Sequence, residues 1–175
     1  LVQTLGKQQV PANEAGHIIT TITDALTQRL IQLAIAKLGE PPCVFSWLAF
    51  GSQARMDQSL NADQDNALLL EKEPTGEVED YFASLADFVC EGLALCGVKL
   101  CPGNIMASNA ELRLSLQGFS QHFAKWLHTP TPQALLNASI FFDIRVIEGS
   151  RGLFNALQQD VVQKASQQDL FLMHL

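Results

Sequence analysis

The chain has 175 residues, of which 47% are hydrophobic and 17% charged, so a disordered chain is excluded and about one domain is expected. Eleven Lys and Arg against eighteen Asp and Glu give a net charge of −7. A surface of that sign repels phosphate backbones, which disfavours nucleic acid as the main partner. No stretch approaches the roughly 18 apolar residues of a membrane span, and no signal peptide is visible. We therefore expect a cytoplasmic protein with no membrane partner.

The two ends of the chain indicate its domain organisation, and the four cysteines indicate the state of its thiols. It opens on Leu1 and closes on the apolar run LFLMHL, which predicts a piece of a larger protein, with a linker and long helix over 1–40 and the main domain over 41–175. No C-x-x-C pair occurs and no His lies near the cysteines, so reduced thiols are favoured over a zinc site. The cysteines are Cys43, Cys90, Cys96 and Cys101.

The first half of the chain predicts a helix followed by two strands. Three- and four-residue spacing of apolar residues predicts a long amphipathic helix over 14–38, which Gly39 and Pro41-Pro42 end. The apolar runs over 43–50 and 66–70 predict buried strands. The helix positions expected to face inward are Ile19, Ile22, Leu26, Leu30 and Leu33.

The middle of the chain predicts a helix and a turn. Thr75 is expected to cap a helix with an acidic first turn, which Gly97 ends. Residues 98–100 are a short strand candidate, and Cys101-Pro102-Gly103-Asn104 is a turn sequence.

The last part predicts two main helices around one strand. Ser115 is expected to cap a helix with Leu116, Phe119, Phe123, Trp126 and Leu127 inward, followed by a break over 129–132 and a short helix through 134–136. The run over 139–147 predicts a strand, and a final helix carries Leu153, Phe154, Leu157, Val161 and Val162. The fold class expected is α+β, a small mixed sheet with helices on one side.

Two aspartates begin the second predicted strand, opposite the end of the first. The first strand ends in Gly51-Ser52, and Asp63 and Asp65 follow after a polar passage. Residues two apart in a strand share a face, so the two carboxylates are expected to project together toward Gly51-Ser52. Paired carboxylates repel each other unless a cation lies between them, which suits a magnesium ion carrying a polyphosphate.

The phosphate side of this hypothesis lies in the segment after the first strand. Gly51 allows close approach of the backbone to phosphate, and Ser52 supplies a hydroxyl donor. Arg55, one helical turn on, is suited to a two-point contact with phosphate. Gly-Ser after a strand is a weak signal by itself and a much stronger one when D-x-D follows on the next strand.

Asp143 is a charged residue inside a predicted apolar strand. A carboxylate there is costly unless it is paired or binds a metal. One interpretation is a plain ion pair with Arg145, two residues on and on the same face. The other makes Asp143 a third carboxylate converging with Asp63 and Asp65, as two-metal transfer of a nucleotidyl group requires.

The stretch GSQARMDQSLNADQDNALLL resembles the signature of the polymerase-β-like nucleotidyltransferase superfamily. More closely, it is similar to the bacterial signal-transduction nucleotidyltransferases related to the PII-protein uridylyltransferase. CPGNIMASN (101–109) and ALLNASIFFDIR (134–145) extend the resemblance over most of the chain after about residue 14. Family members usually carry Glu where this chain has Asp57.

The resemblance implies roles for individual residues. Asp63, Asp65 and Asp143 would be the catalytic and metal-holding acids, while Gly51, Ser52 and Arg55 would hold the triphosphate. The turn at 101–104 is equally an ordinary strand-ending turn or, through Gly103 and Asn104, a rim that contacts base or sugar. The implied cofactor is Mg²⁺ or Mn²⁺, and the implied partners are a nucleoside triphosphate and a protein acceptor.

The activity implied is uridylyl- or adenylyltransferase-like, on a hydroxyl of a protein or small molecule, in bacterial signal transduction. Such proteins often carry upstream ligand-sensing modules and a downstream helical domain, which agrees with ends that look cut. Two alternatives stay open. One is a non-catalytic nucleotide sensor, and the other is a transferase acting on nucleic acid, which the charge of −7 disfavours.

Overall fold

A computed structural model describes residues 11–128 and 143–165, and in these ranges the chain forms an α+β fold, as predicted. The helices are α1 (Ala12–Leu38), α2 (Gly51–Ala54), α3 (Glu77–Leu95), α4 (Leu116–His128) and α5 (Arg151–Ala165), with a 3-10 turn at Ala110–Leu112. The strands are β1 (Phe45–Phe50), β2 (Asn66–Leu70), β3 (Arg113–Ser115) and β4 (Ile144–Gly149). Within the described part, no helix combines the length and apolarity needed to span a membrane.

The four strands form one mixed sheet in the order β3-β2-β1-β4. The β1 strand pairs antiparallel with β2 and with β4, and β2 pairs parallel with β3. All six residues of β1 and all five of β2 are buried, because both faces of these inner strands are covered. This explains why they are continuous apolar runs rather than alternating ones.

Helices cover both faces of the sheet, which corrects the expectation of helices on one side. On one face, Trp47 and Leu68 pack with Ile31 of α1 and Phe82 of α3. On the other face, a second set of buried side chains from β1, β2, α4 and α5 packs together. The main members of that second core are Leu48, Phe50, Leu69, Phe119, Phe154 and Leu157.

Helix α1 buries a stripe that apolar periodicity does not reveal. The buried positions are Gly16, Thr20, Thr23, Thr27, Ile31 and Ala34, whereas the predicted Ile22 and Leu33 are exposed. Each buried Thr hydroxyl donates to the carbonyl four residues earlier, at 2.8 to 3.1 Å. These bonds satisfy the hydroxyls inside the helix and make threonine acceptable at buried positions.

Several local predictions need correction. Residues 98–100 form no strand beyond a single bridge between Asp63 and Lys99, while the parallel strand β3 was not predicted. Helix α3 begins after Gly76 with no side-chain cap, so the Thr75 cap is wrong. The Ser115 cap is confirmed, since its hydroxyl accepts from the Gly118 N–H at 3.0 Å.

The C-terminal strand and helix also differ from the prediction in detail. Strand β4 begins at Ile144, so Asp143 immediately precedes it rather than lying inside it. In α5 the predicted apolar residues pack inward except Val162, which is exposed. Three predictions lie outside the described residues: the break over 129–132, the short helix through 134–136 and the start of the strand at 139. The same holds for the inward side chains predicted for Phe123, Trp126 and Leu127.

Candidate functional site

Three segments distant in sequence meet where β1 ends. The Phe50 N–H donates to the carbonyl of Asp65 (2.9 Å), and the Gly51 N–H donates to the carbonyl of Asp143 (3.1 Å). Because β1 lies between β2 and β4, continuing its ladder by one residue on each side brings both aspartates beside the Phe50-Gly51 peptide. The sheet order therefore assembles the predicted site at one edge.

Gly51 starts the four-residue helix α2 in a left-handed backbone conformation, with φ of +52°. This conformation favours glycine over residues that carry a Cβ. A Cβ built on Gly51 would lie 3.9 Å from Oδ2 of Asp65, an ordinary contact, so backbone conformation rather than space selects glycine here. The same distance shows that the Asp65 carboxylate lies beside Gly51, as the strand alternation predicts.

The two acids of the D-x-D sequence influence each other electrostatically. Burial raises the pKa of Asp65, the nearby charge of Asp63 raises it further, and a hydrogen bond with the Cys101 thiol partly opposes both effects. Both aspartates are only partly buried. A cation placed beside this pair would relieve the cost of a half-buried, repelled carboxylate.

The Asp143 carboxylate is engaged by Arg55. Arg55 donates through Nη1 to Oδ2 of Asp143 (2.7 Å) and through Nε to Oδ2 of Asp57 (3.1 Å). The hydrogen bonds with Asp143 and then Asp57 raise the pKa of Arg55, which keeps the guanidinium charged. All three side chains are more than a third exposed, so the pairs are solvent-screened and readily exchanged.

The alternative of a plain Asp143–Arg145 pair is wrong. Arg145 instead donates to Asp24 of α1, at 2.7 Å from Nη1 and 3.1 Å from Nη2. Nor are the three acids gathered around a common point, since across residues 11–128 and 143–165 no three His, Cys, Asp or Glu side chains are grouped so as to hold a metal ion. The structure brings Asp63 and Asp65 together and joins Asp143 to them through the backbone of β1.

The residues alternating with the acid pair anchor the segment over 98–107. Gln64, almost fully buried, donates from Nε2 to the carbonyls of Cys90 and Val98, both at 3.0 Å. Asn66 accepts at Oδ1 from the Ala107 N–H (2.8 Å). These side chains point away from the carboxylates, toward α3. Sequence reasoning missed them, although polar residues at alternate positions of an otherwise apolar strand were a usable signal.

The turn predicted at 101–104 is present and lies against Asp65. The Asn104 N–H donates to the Cys101 carbonyl at 3.0 Å, and Asn104 has φ of +56°, a conformation that asparagine tolerates. The Cys101 thiol is hydrogen-bonded with the Asp65 carboxylate, and burial raises the pKa of Cys101. Through Cys101, the turn therefore lies next to the Asp65 carboxylate.

The donor set fits a hard divalent cation. Asp63 and Asp65 supply carboxylate oxygens, the ligands that Mg²⁺ prefers, and their mutual repulsion leaves a charge that a cation would neutralise. Within the described residues, no His or Cys joins the two aspartates in a group that could hold a metal ion. Oxygen donors without thiolate or imidazole favour magnesium or manganese over zinc.

Comparison with known proteins gives one family match. A family model described as "Putative nucleotidyltransferase DUF294" matches residues 1–133, while no curated protein matches. The matched range contains Gly51, the acid pair and the turn at 101–104, and it ends before Asp143. Since the match covers more than half of the chain, the chain belongs to the family described as "Putative nucleotidyltransferase DUF294".

Proposed function

We propose that this domain transfers a nucleoside monophosphate from a nucleoside triphosphate to a hydroxyl of a protein or small-molecule acceptor. The observation that carries the proposal is the placement of Asp65, with Asp63 beside it, against the left-handed Gly51 at the end of β1. The family match supports nucleotidyl transfer in general. The resemblance to the PII-protein uridylyltransferase favours a protein acceptor in signal transduction.

Each residue has a proposed role in this reaction. Asp63 and Asp65 would hold Mg²⁺ or Mn²⁺, which when bound neutralises charge on the triphosphate. Gly51, Ser52 and Arg55 would contact the phosphates, and the half-exposed Arg55 can exchange its carboxylate partners for a phosphate. Asp143 would complete the acidic set on the acceptor side. Gly103 and Asn104 would face the base or sugar.

The chemistry is an in-line displacement at the α-phosphorus. The acceptor hydroxyl gives up its proton to solvent and its oxygen forms the new P–O bond. The bond from the α-phosphorus to the bridging oxygen breaks, and pyrophosphate leaves with that electron pair. Positioning and charge stabilisation supply most of the rate in such transfers, so the enzyme needs few groups that exchange protons. Carboxylates and one guanidinium on three adjoining segments meet that requirement.

The test uses each ribonucleoside triphosphate labelled at the α-phosphate, with Mg²⁺ and cell extract as the source of acceptor. We expect one nucleotide to label a protein or small molecule, and Asp65→Asn to abolish labelling while the protein stays folded. Wild-type turnover by the Asn variant would refute the assignment. Asp63→Ala should weaken Mg²⁺-dependent nucleotide binding in calorimetry, with the metal-free titration as its control.

A nucleotide sensor is the second candidate, and one observation favours it. The Asp143 carboxylate is held by Arg55, whereas binding one metal–nucleotide requires only the Asp63 and Asp65 pair. A sensor would bind a nucleotide with Mg²⁺ and transfer no label to anything in the extract. Labelled RNA would instead indicate a transferase acting on nucleic acid.

A further inference from the structure

One face of α1 lies along the proposed site. The residues Gly16, Thr20 and Asp24 are spaced by four and so share that face. A Cβ on Gly16 would lie 3.1 Å from the Cα of Asp57, and the Thr20 hydroxyl accepts from the Gln58 N–H at 3.3 Å. The helix therefore contacts the far end of the segment that begins with the Gly51-Ser52 pair.

Asp24 is the centre of this face, and it closes a triangle with Gln53 and Arg145. Its carboxylate accepts from both terminal nitrogens of Arg145 and from Nε2 of Gln53 at 3.0 Å. Arg145 Nη2 also donates to the backbone carbonyl of Gln53 at 2.8 Å. We call these three residues the clamp. Each of its members contacts the other two.

The clamp is largely shielded from water. The side chain of Asp24 is 16% exposed and that of Arg145 is 31% exposed, while Gln53 is buried. The Asp24–Arg145 pair makes two hydrogen bonds and is less exposed than the Arg55 pairs. The Asp24–Arg145 pair of the clamp is thus less screened by solvent than the Arg55–Asp143 pair, and it is stronger than the pairs of Arg55.

The two ends of the clamp lie next to two parts of the proposed site, which the exposed Arg55–Asp143 pair also joins. Gln53 follows Ser52 in α2, on the phosphate side, and Arg145 lies two residues after Asp143, on the acceptor side. Asp24 bridges them from a third element, over sequence separations of 29 and 121 residues. This bridge, the Gly51–Asp143 backbone bond and the exposed Arg55–Asp143 pair all connect the segment of Ser52 with that of Asp143.

We propose that Asp24, Gln53 and Arg145 are positioning residues of the transferase, which fix the phosphate-binding segment relative to the third acid. This inference rests on the proposed function. It assigns to the N-terminal helix a part in the reaction, although the predicted boundary at residue 40 separates that helix from the catalytic domain. Displacement of reacting groups by about 1 Å can cost about 100-fold in rate, so loosening the clamp should slow transfer strongly.

The test compares Asp24→Asn and Arg145→Lys with the control Gln28→Leu. Asp24→Asn keeps the shape and removes the charge, and Arg145→Lys keeps the charge but cannot hold both partners. Gln28 lies one turn further along the same helix face, and its Nε2 donates to the Ile147 carbonyl of β4 at 2.9 Å. The control therefore removes a bond between the same two elements away from the site.

Three quantities are measured on each protein: the folded fraction, the Kd of Mg²⁺ with non-hydrolysable triphosphate analogues, and label transfer per folded molecule. We expect the clamp variants to lose transfer by at least about tenfold while Kd changes less than about threefold, since the residues proposed to bind the analogue, which are the Asp63–Asp65 pair, Gly51, Ser52 and Arg55, are all unchanged in these variants. A variant that combines Asp24→Asn with Arg145→Lys should transfer label about as slowly as either single variant, because the three clamp residues act as a unit. Gln28→Leu should transfer at the wild-type rate per folded molecule.

Transfer within about twofold of wild type in Asp24→Asn and Arg145→Lys would overturn the positioning role and leave the proposed function intact. An equal loss in Gln28→Leu would also overturn it, because the effect would then be one of general destabilisation. A wild-type protein that transfers no label would refute the proposed function, and the positioning role with it.

Discussion

Replacing Asn66 by Leu should destabilise the protein through one orphaned backbone donor. Asn66 is 2% exposed, and its Oδ1 accepts from the N–H of Ala107, itself fully buried. Leucine fills a similar volume, so the main effect is the loss of this acceptor. A buried donor left without a partner costs about 1–3 kcal/mol. The Cys90 thiol, 3.7 Å from the same oxygen, contributes only a weak additional bond.

The expected loss is about 2 kcal/mol, which for a chain of this size corresponds to a fall in Tm of about 4–8 °C. Urea unfolding followed by circular dichroism measures it, with a lowered midpoint and an unchanged slope. Because Asn66 anchors the segment that carries the 101–104 turn, binding of Mg²⁺–triphosphate analogues should weaken as well.

The matched control is Ser46→Ala, which removes a buried hydrogen bond of 2.7 Å at the opposite end of β1. We expect it to lower stability by about 1 kcal/mol and to leave the Kd of the analogue unchanged. A change in unfolding free energy below about 0.5 kcal/mol for Asn66→Leu would refute the importance of the Ala107 bond. Weaker analogue binding in both variants would show that binding follows stability rather than the anchored segment.

Three further outcomes are expected. Gly149→Ala should cost more than about 3 kcal/mol in urea unfolding, because φ is +93° and the new Cβ would lie 2.3 Å from the Phe45 carbonyl oxygen. Burial raises the pKa of the Cys90 thiol from 9.0 to about 11, so the stability that this thiol contributes is complete below pH 9 and is lost as the pH rises toward 11. The variant Cys90→Ala should lack this loss. In the native protein, iodoacetamide should label the exposed Cys96 and spare the buried Cys90. Arg55→Gln should change the unfolding free energy by less than about 1 kcal/mol yet weaken analogue binding several-fold in calorimetry.

The sequence predicted well those features that depend on contiguous residues. The inner strands are long apolar runs, the Ser115 cap adjoins its helix, and the 101–104 turn contains Pro and Gly, so each is encoded within a few residues. The Gly51-Ser52 and D-x-D stretches are likewise short sequences that can be recognised from contiguous residues. Their meeting follows once β1 and β2 are recognised as neighbouring strands.

Other features were missed because their cause lies outside the local pattern. Strand β3 has three residues and is defined by pairing with β2, and one of them, Arg113, is a buried charge that apolar periodicity argues against. The terminal nitrogens of that arginine donate to Glu79 and to the carbonyls of Ala107 and Ser108, while its buried Nε has no hydrogen-bond partner within the described part of the chain. A buried cation with three acceptors is compatible with a strand, but its partners cannot be located from sequence spacing.

The inward face of α1 was mispredicted in part for a related reason, although Leu26 and Leu30 pack against the core as predicted. Apolar periodicity selected Ile22 and Leu33, whereas burial selects Thr20, Thr23 and Thr27. The threonine stripe has the same three- and four-residue spacing, but it counts as polar on any hydropathy scale. Only the intrahelical hydroxyl bonds, which cost the helix little, make that face suitable for contact with the sheet.

The location of the site follows from how the central strand ends. Two backbone hydrogen bonds continue the β1 ladder, from the Phe50 N–H to Asp65 and from the Gly51 N–H to Asp143. The backbones of both acids are therefore positioned by the sheet. Their side chains differ, because the Asp143 carboxylate is paired with an exposed arginine, whereas the Asp65 carboxylate is partly buried. A site of this kind has one fixed acid pair and one adjustable acid. It follows that nucleotide binding should tolerate changes around Asp143 that transfer does not, which is the division that the clamp variants measure.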